Sequence, residues 1–235
     1  MTKQEKIVSM FNDIAPTYDK ANRVLSMGVD TIWRRKACSK AFSYCGESAL
    51  SIVDVACGTG DMMGYWKRVG TENKMVIDEI IGVDPSEGMV GVGREKFPEM
   101  AFHIAPATLL PRDDKSADII SISYGIRNVM ERQEALTEFN RVLKTGGLVV
   151  ILEFMKNENP SALGKVRDWY MNNVLPRLGG LISNNYEAYR YLPDSIEGFL
   201  TVGKMATELE EAGFEMLYTK SFSMDISTLM IARKK

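Results

Sequence analysis

Two aspartates and a glycine turn are the residues of this chain whose types and spacing most clearly suggest a ligand site. An apolar, strand-like run ends at Asp54, and Gly58, Thr59 and Gly60 follow as a tight turn. Asp84 ends the next apolar run. A strand that stops at a glycine turn and continues as a helix lets a ligand touch bare backbone. The pattern therefore predicts a site for an adenosine-containing molecule, with Asp84 placed for its ribose hydroxyls.

The charge around the turn separates two adenosine ligands. A dinucleotide carries an anionic pyrophosphate, which binds a GxGxxG turn and a helix N-terminus without acidic residues. Here Met63 stands at the third glycine position and Asp61 stands where the pyrophosphate would lie. S-adenosylmethionine instead carries a sulfonium and an ammonium, which Asp54 and Asp61 would attract. The charges therefore favour the methyl donor, although Asp61 could simply stabilise its helix by about 0.3–1 kcal/mol.

Alternating strands and helices must hold these residues in place. Apolar runs predict strands at 51–55, 79–83, 101–104, 118–123 and 148–153, and helical spacing predicts helices at 62–68, 87–96 and 132–143. A helix at 203–212 leads into strands at 215–222 and 226–232. The short link between these last two strands allows only an antiparallel hairpin. The predicted fold is a doubly wound, mostly parallel seven-stranded α/β sheet, Rossmann-like, that ends in an antiparallel hairpin strand.

Two segments do not follow this alternation of strands and helices. Residues 1–46 have helical spacing interrupted at Pro16, with a second helix at 33–44, and we expect them to form a lid. Residues 47–235 are predicted to form the main domain. Within that domain, residues 156–200 are rich in Asn, Tyr, Leu and Pro, which indicates a helical insertion on the substrate side.

Composition limits the partners and the compartment. The chain has 235 residues with 29 basic and 31 acidic side chains, so it lacks the basic excess of a nucleic-acid binder. Cys38, Cys45 and Cys57 lack CxxC spacing, which favours a reducing compartment, and we expect no metal site. The N-terminus is polar, and no apolar run approaches the roughly 18 residues of a membrane span. We expect a cytoplasmic protein, with peripheral contact to the inner face of a membrane left open.

Six segments that together run over nearly the whole chain carry a family resemblance. They are 18–26 with Trp33-Arg34, the Gly58 loop, 91–96, 124–129, 141–147 with Glu153-Phe154, and 174–177 with 189–192. Together they resemble the quinone-biosynthesis C-methyltransferases, the demethylmenaquinone and polyprenyl-benzoquinol methylase family of menaquinone and ubiquinone biosynthesis. The glycine loop alone would mark only the superfamily. Tyr-Asp-x-x-Asn-x-x-Leu-Ser and Gly-x-Arg-Asn-Val are specific to this family.

The resemblance implies a class I S-adenosylmethionine-dependent methyltransferase fold. It also implies C-methylation of a prenylated quinol, in the first place demethylmenaquinol to menaquinol, without deciding between naphthoquinol and benzoquinol rings. It points to Arg127 and Asn128 as catalytic residues. The donor-binding residues that we expect are Asp54, Gly58, Thr59, Gly60, Asp84, Pro106, Ala107 and Ser123.

The chain departs from the family pattern at several positions. Asp30 replaces a histidine, Ala21 a methionine, and Met155 the serine of Glu-Phe-Ser. Pro106-Ala107-Thr108 replaces Asn-Ala-Glu after the third strand. Because Pro106 has neither a polar side chain nor an N–H, only the amide of Ala107 is left there to meet adenine.

Two residues compete for the role of activating the quinol. Its hydroxyl, with a pKa near about 10, must lose or share its proton before the ring carbon can attack. His103 is the obvious base by type, but it lies inside a short predicted strand, where a structural histidine is more common. Arg127 follows the fourth strand, at the sheet edge where such folds place their chemistry. Its guanidinium would stabilise a phenolate while water takes the proton. A loop salt bridge and cap is the alternative for Arg127 and Asn128.

Aromatic residues outside the sheet are the candidates for substrate binding. Tyr18 is predicted to belong to a lid over the donor, although a simple helix start capped by Asp19 is the alternative. Four residues of the insertion are predicted to line the pocket of the aromatic ring, or else to form a half-exposed packing stripe: Tyr186, Tyr189, Arg190 and Tyr191. Three further apolar residues have three possible roles: Trp169, Tyr170 and Leu175. They would shape a groove for a polyprenyl tail, contact a bilayer surface or form a homodimer interface.

Other functions stay open at this point. An NAD-dependent oxidoreductase would need a glycine where Met63 stands. Nucleic-acid methyltransferases that act on amino groups often carry Asn/Asp-Pro-Pro-aromatic after the fourth strand, where this chain has residues 123–126, Ser-Tyr-Gly-Ile. A paralogue acting on another small aromatic or lipid acceptor, or one that binds the donor poorly because of Pro106, also fits the sequence.

Overall fold

A seven-stranded sheet forms the centre of the molecule. The computed structural model describes residues 1–46, 48–157, 169–170, 173–183, 185–223 and 225–235. The strands are β1 (Leu50–Val55), β2 (Ile77–Asp84), β3 (Ala101–Ile104), β4 (Ala117–Ser123), β5 (Leu143–Glu153), β6 (Phe214–Phe222) and β7 (Ser227–Lys234). Their order is β3-β2-β1-β4-β5-β7-β6. Strands β1 to β5 pair in parallel, and β7 pairs antiparallel with both β5 and β6. The predicted sheet with its antiparallel hairpin strand is confirmed.

Helices cover both faces of this sheet. They are α1 (Lys3–Ile14), α2 (Tyr18–Leu25), α3 (Val29–Phe42), α4 (Asp61–Glu72), α5 (Glu87–Lys96), α6 (Arg132–Val142), α7 (Leu175–Ser183), α8 (Tyr186–Glu197) and α9 (Val202–Glu211), with short 3-10 turns at Ala15–Thr17 and Ile126–Asn128. No helix in the described ranges has both the length and the apolar character that crossing a membrane requires.

Two apolar clusters form the core, one on each face of the sheet. Phe139 of α6 and Leu209 of α9 pack against one face. Phe42 of α3 and Trp66 of α4 pack against the other. Every residue of β1 is buried, which is expected of a parallel strand with helices on both sides. The predicted lid 1–46 is therefore divided in the structure, because α3 packs beneath the sheet whereas α1 and α2 lie at its carboxyl edge.

The loops that follow β1 and β4 pack unusually closely against each other. Ala56 and Tyr124, which directly follow these strands, have positive φ angles of 50° and 58°. A Cβ on Gly125 would lie 2.5 Å from the Cβ of Ala56, so a larger residue there would collide with the neighbouring loop. Strand order changes direction at β1, and the crevice at such a switch point is where open α/β sheets bind ligands.

Candidate active site

A cavity of about 110 Å³ lies at the carboxyl edge of the sheet. Five of the predicted donor-binding residues line it, and they come from the ends of β1, β2, β3 and β4: Gly58, Asp84, Pro106, Ala107 and Ser123. Helix α1 closes the cavity from above through Ile7 and Phe11. We call this the donor cavity.

Two backbone amides hold the carboxylate of Asp84 in place at the end of β2. Its two carboxylate oxygens accept hydrogen bonds from the backbone amides of Gly58 and Ser86, each at 2.8 Å. Burial raises the pKa of Asp84 to about 6, and the two amide hydrogen bonds oppose this shift. The carboxylate has no basic side chain as partner among the described residues, so it can serve hydroxyl donors or a cationic ligand.

Two polar groups of the donor cavity lack hydrogen bonds in the described part of the chain. The Oγ of Ser123 is buried and unpaired. The amide of Ala107 donates to no described residue, although Ala107 is buried in the cavity wall. Buried polar groups are normally satisfied, so these two indicate that a polar ligand completes the site. Together with the acceptors of Asp84, they fit an adenosine-containing donor.

Three other predicted donor residues support the cavity without lining it. Asp54 is buried beneath the loop and accepts a hydrogen bond from Ser121, and burial raises its pKa to about 7. Thr59 donates its hydroxyl to Asp19 of α2 at 2.6 Å. Gly60 begins α4 with a φ angle of +80°, and a Cβ there would lie 2.9 Å from the ring of Phe102.

Asp61 corrects the charge argument made from the sequence. It does not line the donor cavity but forms ion pairs with Lys96 of α5 and with Arg23 of α2, the latter at 3.2 Å. Burial opposes ionisation, yet Arg34, Lys96 and Arg23 hold the pKa of Asp61 below its usual value. Its negative charge is therefore matched by cations of α2, α3 and α5, which the local sequence around the glycine turn does not reveal.

A second, larger cavity of about 510 Å³ adjoins the donor cavity. Phe11, Tyr18 and Tyr124 line both cavities. The wall of the second cavity is mainly apolar and aromatic, and includes Leu25, Trp33, Phe154, Tyr170, Tyr189 and Leu192. We call it the acceptor cavity, since it meets the donor cavity and its lining suits an aromatic ring with an apolar tail.

Arg127 lies in the wall of the acceptor cavity, as predicted for the residue that follows β4. Its Nη1 donates to Glu153 at 2.6 Å and to the carbonyl of Tyr124 at 2.7 Å, and its Nε donates to Ser195 at 3.2 Å. The side chains of Arg127 and Glu153 are 7% and 0% exposed. Burial raises the pKa of Glu153 in spite of the guanidinium beside it. The Nη2 of Arg127 has no hydrogen-bond partner in the ranges described.

Asn128 connects the two cavities. It lies in the donor-cavity wall, and its Oδ1 accepts a hydrogen bond from the hydroxyl of Tyr191 at 2.9 Å. Tyr191 in turn lines the acceptor cavity from α8. The pairing fixes the amide of Asn128 at the boundary between the two cavities.

The predicted substrate-binding residues of α8 lie on different faces of the helix. Tyr189 is buried and lines the acceptor cavity together with Ala188 and Leu192. Tyr186 and Arg190 are exposed and line neither cavity. Residues four apart share one side of a helix, so these two point together toward solvent. Trp169 is exposed and Tyr170 lines the acceptor cavity, whereas the side chain of Leu175 lies outside the described part of the structure.

His103 does not approach either cavity. It lies in β3, at the edge of the sheet, and its side chain is exposed rather than packed as a structural histidine. Sequence reasoning assigned no site role to Arg34, Tyr124, Glu153 or Phe154, although all four belong to segments that carried the family resemblance. Their roles depend on contacts across the sheet, for which a single sequence offers no local signal.

Comparison with known proteins agrees with this geometry. Residues 1–234 match the model of the ubiE/COQ5 methyltransferase family. The ubiquinone/menaquinone biosynthesis C-methyltransferase UbiE of Campylobacter jejuni is 54% identical over 100% of both chains. The demethylmenaquinone methyltransferase of Chlorobaculum parvum is 35% identical over 98% of this chain and 93% of the relative.

The fold also matches solved structures. A SAM-dependent methyltransferase from Thermotoga maritima superposes with a TM-score of 0.61 at 20% identity, covering 97% of this chain and 100% of that one. At such identity the likeness concerns the fold alone. The full-length family match and the identity to curated relatives decide the assignment: the chain belongs to the ubiE/COQ5 methyltransferase family.

Proposed function

We propose that the protein transfers a methyl group from S-adenosyl-L-methionine to a ring carbon of a prenylated quinol in menaquinone or ubiquinone biosynthesis. The observation that carries the proposal is the junction of the two cavities. The donor cavity, whose wall includes Asp84 and Ser123, shares Tyr18 and Tyr124 with the larger, mainly apolar acceptor cavity, and Arg127 lies in the wall of the latter.

The donor would be held by Asp84 and by the two unpaired polar groups of its cavity. Asp84 would accept hydrogen bonds from the ribose hydroxyls, the amide of Ala107 would donate to adenine, and Ser123 would bond a polar group of the donor. When bound, the donor supplies a methyl group on a sulfonium: the carbon–sulfur bond breaks with its electron pair left on sulfur, a carbon–carbon bond forms to the ring, and the displaced ring proton leaves to water.

Arg127 would activate the acceptor by electrostatics. A quinol hydroxyl has a pKa near about 10, like tyrosine, and a guanidinium beside it stabilises the phenolate that makes the ring carbon nucleophilic. Glu153 and the Tyr124 carbonyl occupy Nη1, which orients the side chain and leaves Nη2 for the quinol oxygen. Asn128, fixed by Tyr191, would align the ring with the methyl group.

Substitution of Arg127 tests this role. We expect Arg127→Ala to lower turnover by about 100- to 1,000-fold, the usual effect of losing a group that stabilises developing charge. Donor affinity, measured by calorimetry, should change by less than about threefold because Arg127 does not line the donor cavity. The exposed Arg68 of α4, which lines neither cavity, provides the control Arg68→Ala.

The buried Glu153 complicates the interpretation of Arg127→Ala, because this variant leaves the Glu153 carboxylate without its cation. The double variant Arg127→Met/Glu153→Gln removes both charges and should fold while remaining as slow as Arg127→Ala. Full turnover in either variant would contradict the role given to Arg127.

For the acceptor we propose demethylmenaquinol, with its naphthoquinol ring. The relatives support a quinone-biosynthesis substrate, and some are named for demethylmenaquinone. Mass spectrometry of quinones from cells that lack the protein provides the test. Accumulation of demethylated naphthoquinone supports the proposal, whereas a demethylated benzoquinone precursor would assign the other ring type.

We also propose that the protein works at the inner face of a membrane, where prenylated quinols reside. Apolar side chains are exposed beside the acceptor cavity, on α2, on the α2–α3 turn and near α7: Val24, Met27, Trp169 and Leu178. Tyr170 donates to the Leu25 carbonyl at 3.4 Å, and α2 contacts α7, so these elements lie together. The homodimer stays a prediction, which light scattering would check.

A further inference from the structure

Arg34 is a buried cation with two unpaired nitrogens in the part of the chain that the structure describes. It lies on α3 and lines the acceptor cavity, and its side chain is 8% exposed. Its Nε and Nη1 are buried and have no hydrogen-bond partner among the described residues. Buried guanidinium groups are normally paired, so this one calls for an explanation.

The nearest carboxylate does not satisfy it. Asp30 lies 3.9 Å from the Nε of Arg34, beyond hydrogen-bond distance. Both oxygens of Asp30 are taken by Arg23 at 2.8 Å, and Ser26 donates to one of them at 2.7 Å. Asp30 is thus committed to α2, and Arg34 keeps its donors for another group.

Arg34 and Arg127 each contact a different ring of one aromatic pair. The guanidinium carbon of Arg34 lies 5.1 Å from the centroid of the Tyr124 ring, and that of Arg127 lies 5.4 Å from the centroid of the Phe154 ring. The two rings are in contact, with centroids 4.5 Å apart and planes inclined by 30°. All four side chains line the acceptor cavity. The cavity therefore presents two separate cationic donors to whatever lies within it.

We propose that Arg34 binds the second ring oxygen of the acceptor, while Arg127 binds the oxygen next to the carbon that is methylated. The inference rests on the proposed function, because a quinol carries two oxygens on opposite sides of its ring. Arg34 is then a specificity-determining residue: it selects acceptors with two oxygens over phenols with one.

A pair of acceptors tests the assignment. One is a short-tailed naphthoquinol with both ring oxygens, and the other is the matched naphthol that keeps only the oxygen beside the methylated carbon. We expect Arg34→Met to lower kcat/KM for the quinol by about 10- to 100-fold, the effect of losing charged hydrogen bonds. The value for the naphthol should change by less than about threefold. The preference for the quinol therefore collapses in the variant.

Two further variants make the result decisive. Arg34→Lys keeps the charge but loses the planar fork, so it should lower the preference partially, and it reports on the same ratio if Arg34→Met does not fold. Arg35→Met alters an exposed neighbour paired with Glu72 and should leave the ratio unchanged.

The outcomes separate this inference from the proposed function. Equal losses for both acceptors, or an unchanged preference in Arg34→Met and Arg34→Lys, would overturn the role of Arg34 while the methyltransferase activity stands. If the wild-type protein methylates neither acceptor but binds S-adenosylmethionine, the proposed acceptor class is wrong and the inference falls with it.

Discussion

At the scale of single residues, the site depends on two buried aspartates that no cation neutralises by hydrogen bonding in the described structure. Burial raises the pKa of Asp54 to about 7 and that of Asp84 to about 6. The hydrogen bonds that they accept come from a serine hydroxyl and from backbone amides, which oppose the shifts only in part. Burial thus makes both carboxyl groups costly to ionise.

The pKa of Asp54 predicts how stability depends on pH. The folded protein holds this proton up to about pH 7, whereas the usual value for the group is 3.8. The contribution of protonated Asp54 to the free energy of unfolding is therefore fully present below about pH 4 and is lost as the pH rises through 7. Asp54→Asn should lack this dependence, so its free energy of unfolding relative to wild type should rise by roughly 2–4 kcal/mol from pH 4 to pH 8.

Chemical denaturation across that pH range would measure the difference. Asn retains an acceptor for Ser121, and the contribution of Asp84 is common to both proteins. The exposed Asp13 provides the control Asp13→Asn, which should follow wild type. Parallel curves for Asp54→Asn and wild type would contradict the raised pKa.

Sequence patterns predicted part of the site at this scale. Asp84 and Ser123 end strands and Gly58 follows one, so the topology alone carries them to one edge of the sheet. The partners of Asp61 could not be foreseen, because they come from helices distant in the chain. Tyr186 and Arg190 were placed with Tyr189 by composition, whereas the phase of α8 decides which side chains face the cavity.

At the scale of elements, a network of ion pairs and hydrogen bonds links α2 to the glycine loop. Asp19 of α2 accepts hydrogen bonds from Thr59 at 2.6 Å and from Lys96 at 2.7 Å. Lys96 also pairs with Asp61, which pairs with Arg23 of α2. The helix that carries Tyr18 is therefore held by ion pairs that are partly exposed and should respond to salt.

Lys96→Met should loosen this attachment. Partly exposed ion pairs contribute up to about 1 kcal/mol, so we expect the donor to dissociate roughly fivefold faster at low salt. The difference should shrink as salt is added. Stopped-flow measurement of donor release would show it, with Glu99→Gln as the control, since Glu99 pairs with the exposed Lys67, away from α2. An unchanged release rate at low salt would rule out a holding role for Lys96.

Element positions were largely predictable, and the exceptions have local causes. Helix α5 and strand β3 were predicted with the bounds observed, because capping and apolar spacing are local signals. Strand β5 begins at Leu143 rather than at 148. The Lys-Thr-Gly-Gly run at 144–147 is typical of a helix stop, yet Leu143 pairs with Ala117 of β4 across an irregular register.

At the scale of the whole molecule, exposed apolar residues lie beside the acceptor cavity. Met27, at the acceptor-cavity wall, is 82% exposed, and Val24 and Trp169 are exposed nearby. Such a patch beside an apolar cavity is suited to the surface of a bilayer, into which aromatic and aliphatic side chains can dip.

The variant Val24→Glu/Trp169→Glu should weaken sedimentation with vesicles of mixed neutral and anionic lipids. Turnover of a long-tailed quinol in those vesicles should fall with binding, and turnover of a short-tailed quinol in solution should persist. Val76→Glu changes an exposed residue before β2, at the opposite edge of the sheet, and serves as the control. Equal vesicle binding by all three proteins would contradict the proposed membrane contact.

The wall that Phe11 and Tyr18 share between the two cavities has a kinetic consequence. A displacement of α1 and α2 that releases one ligand also uncovers the other, so exchange at the two cavities cannot be independent. Steady-state kinetics should accordingly be sequential, with both ligands bound before either product leaves.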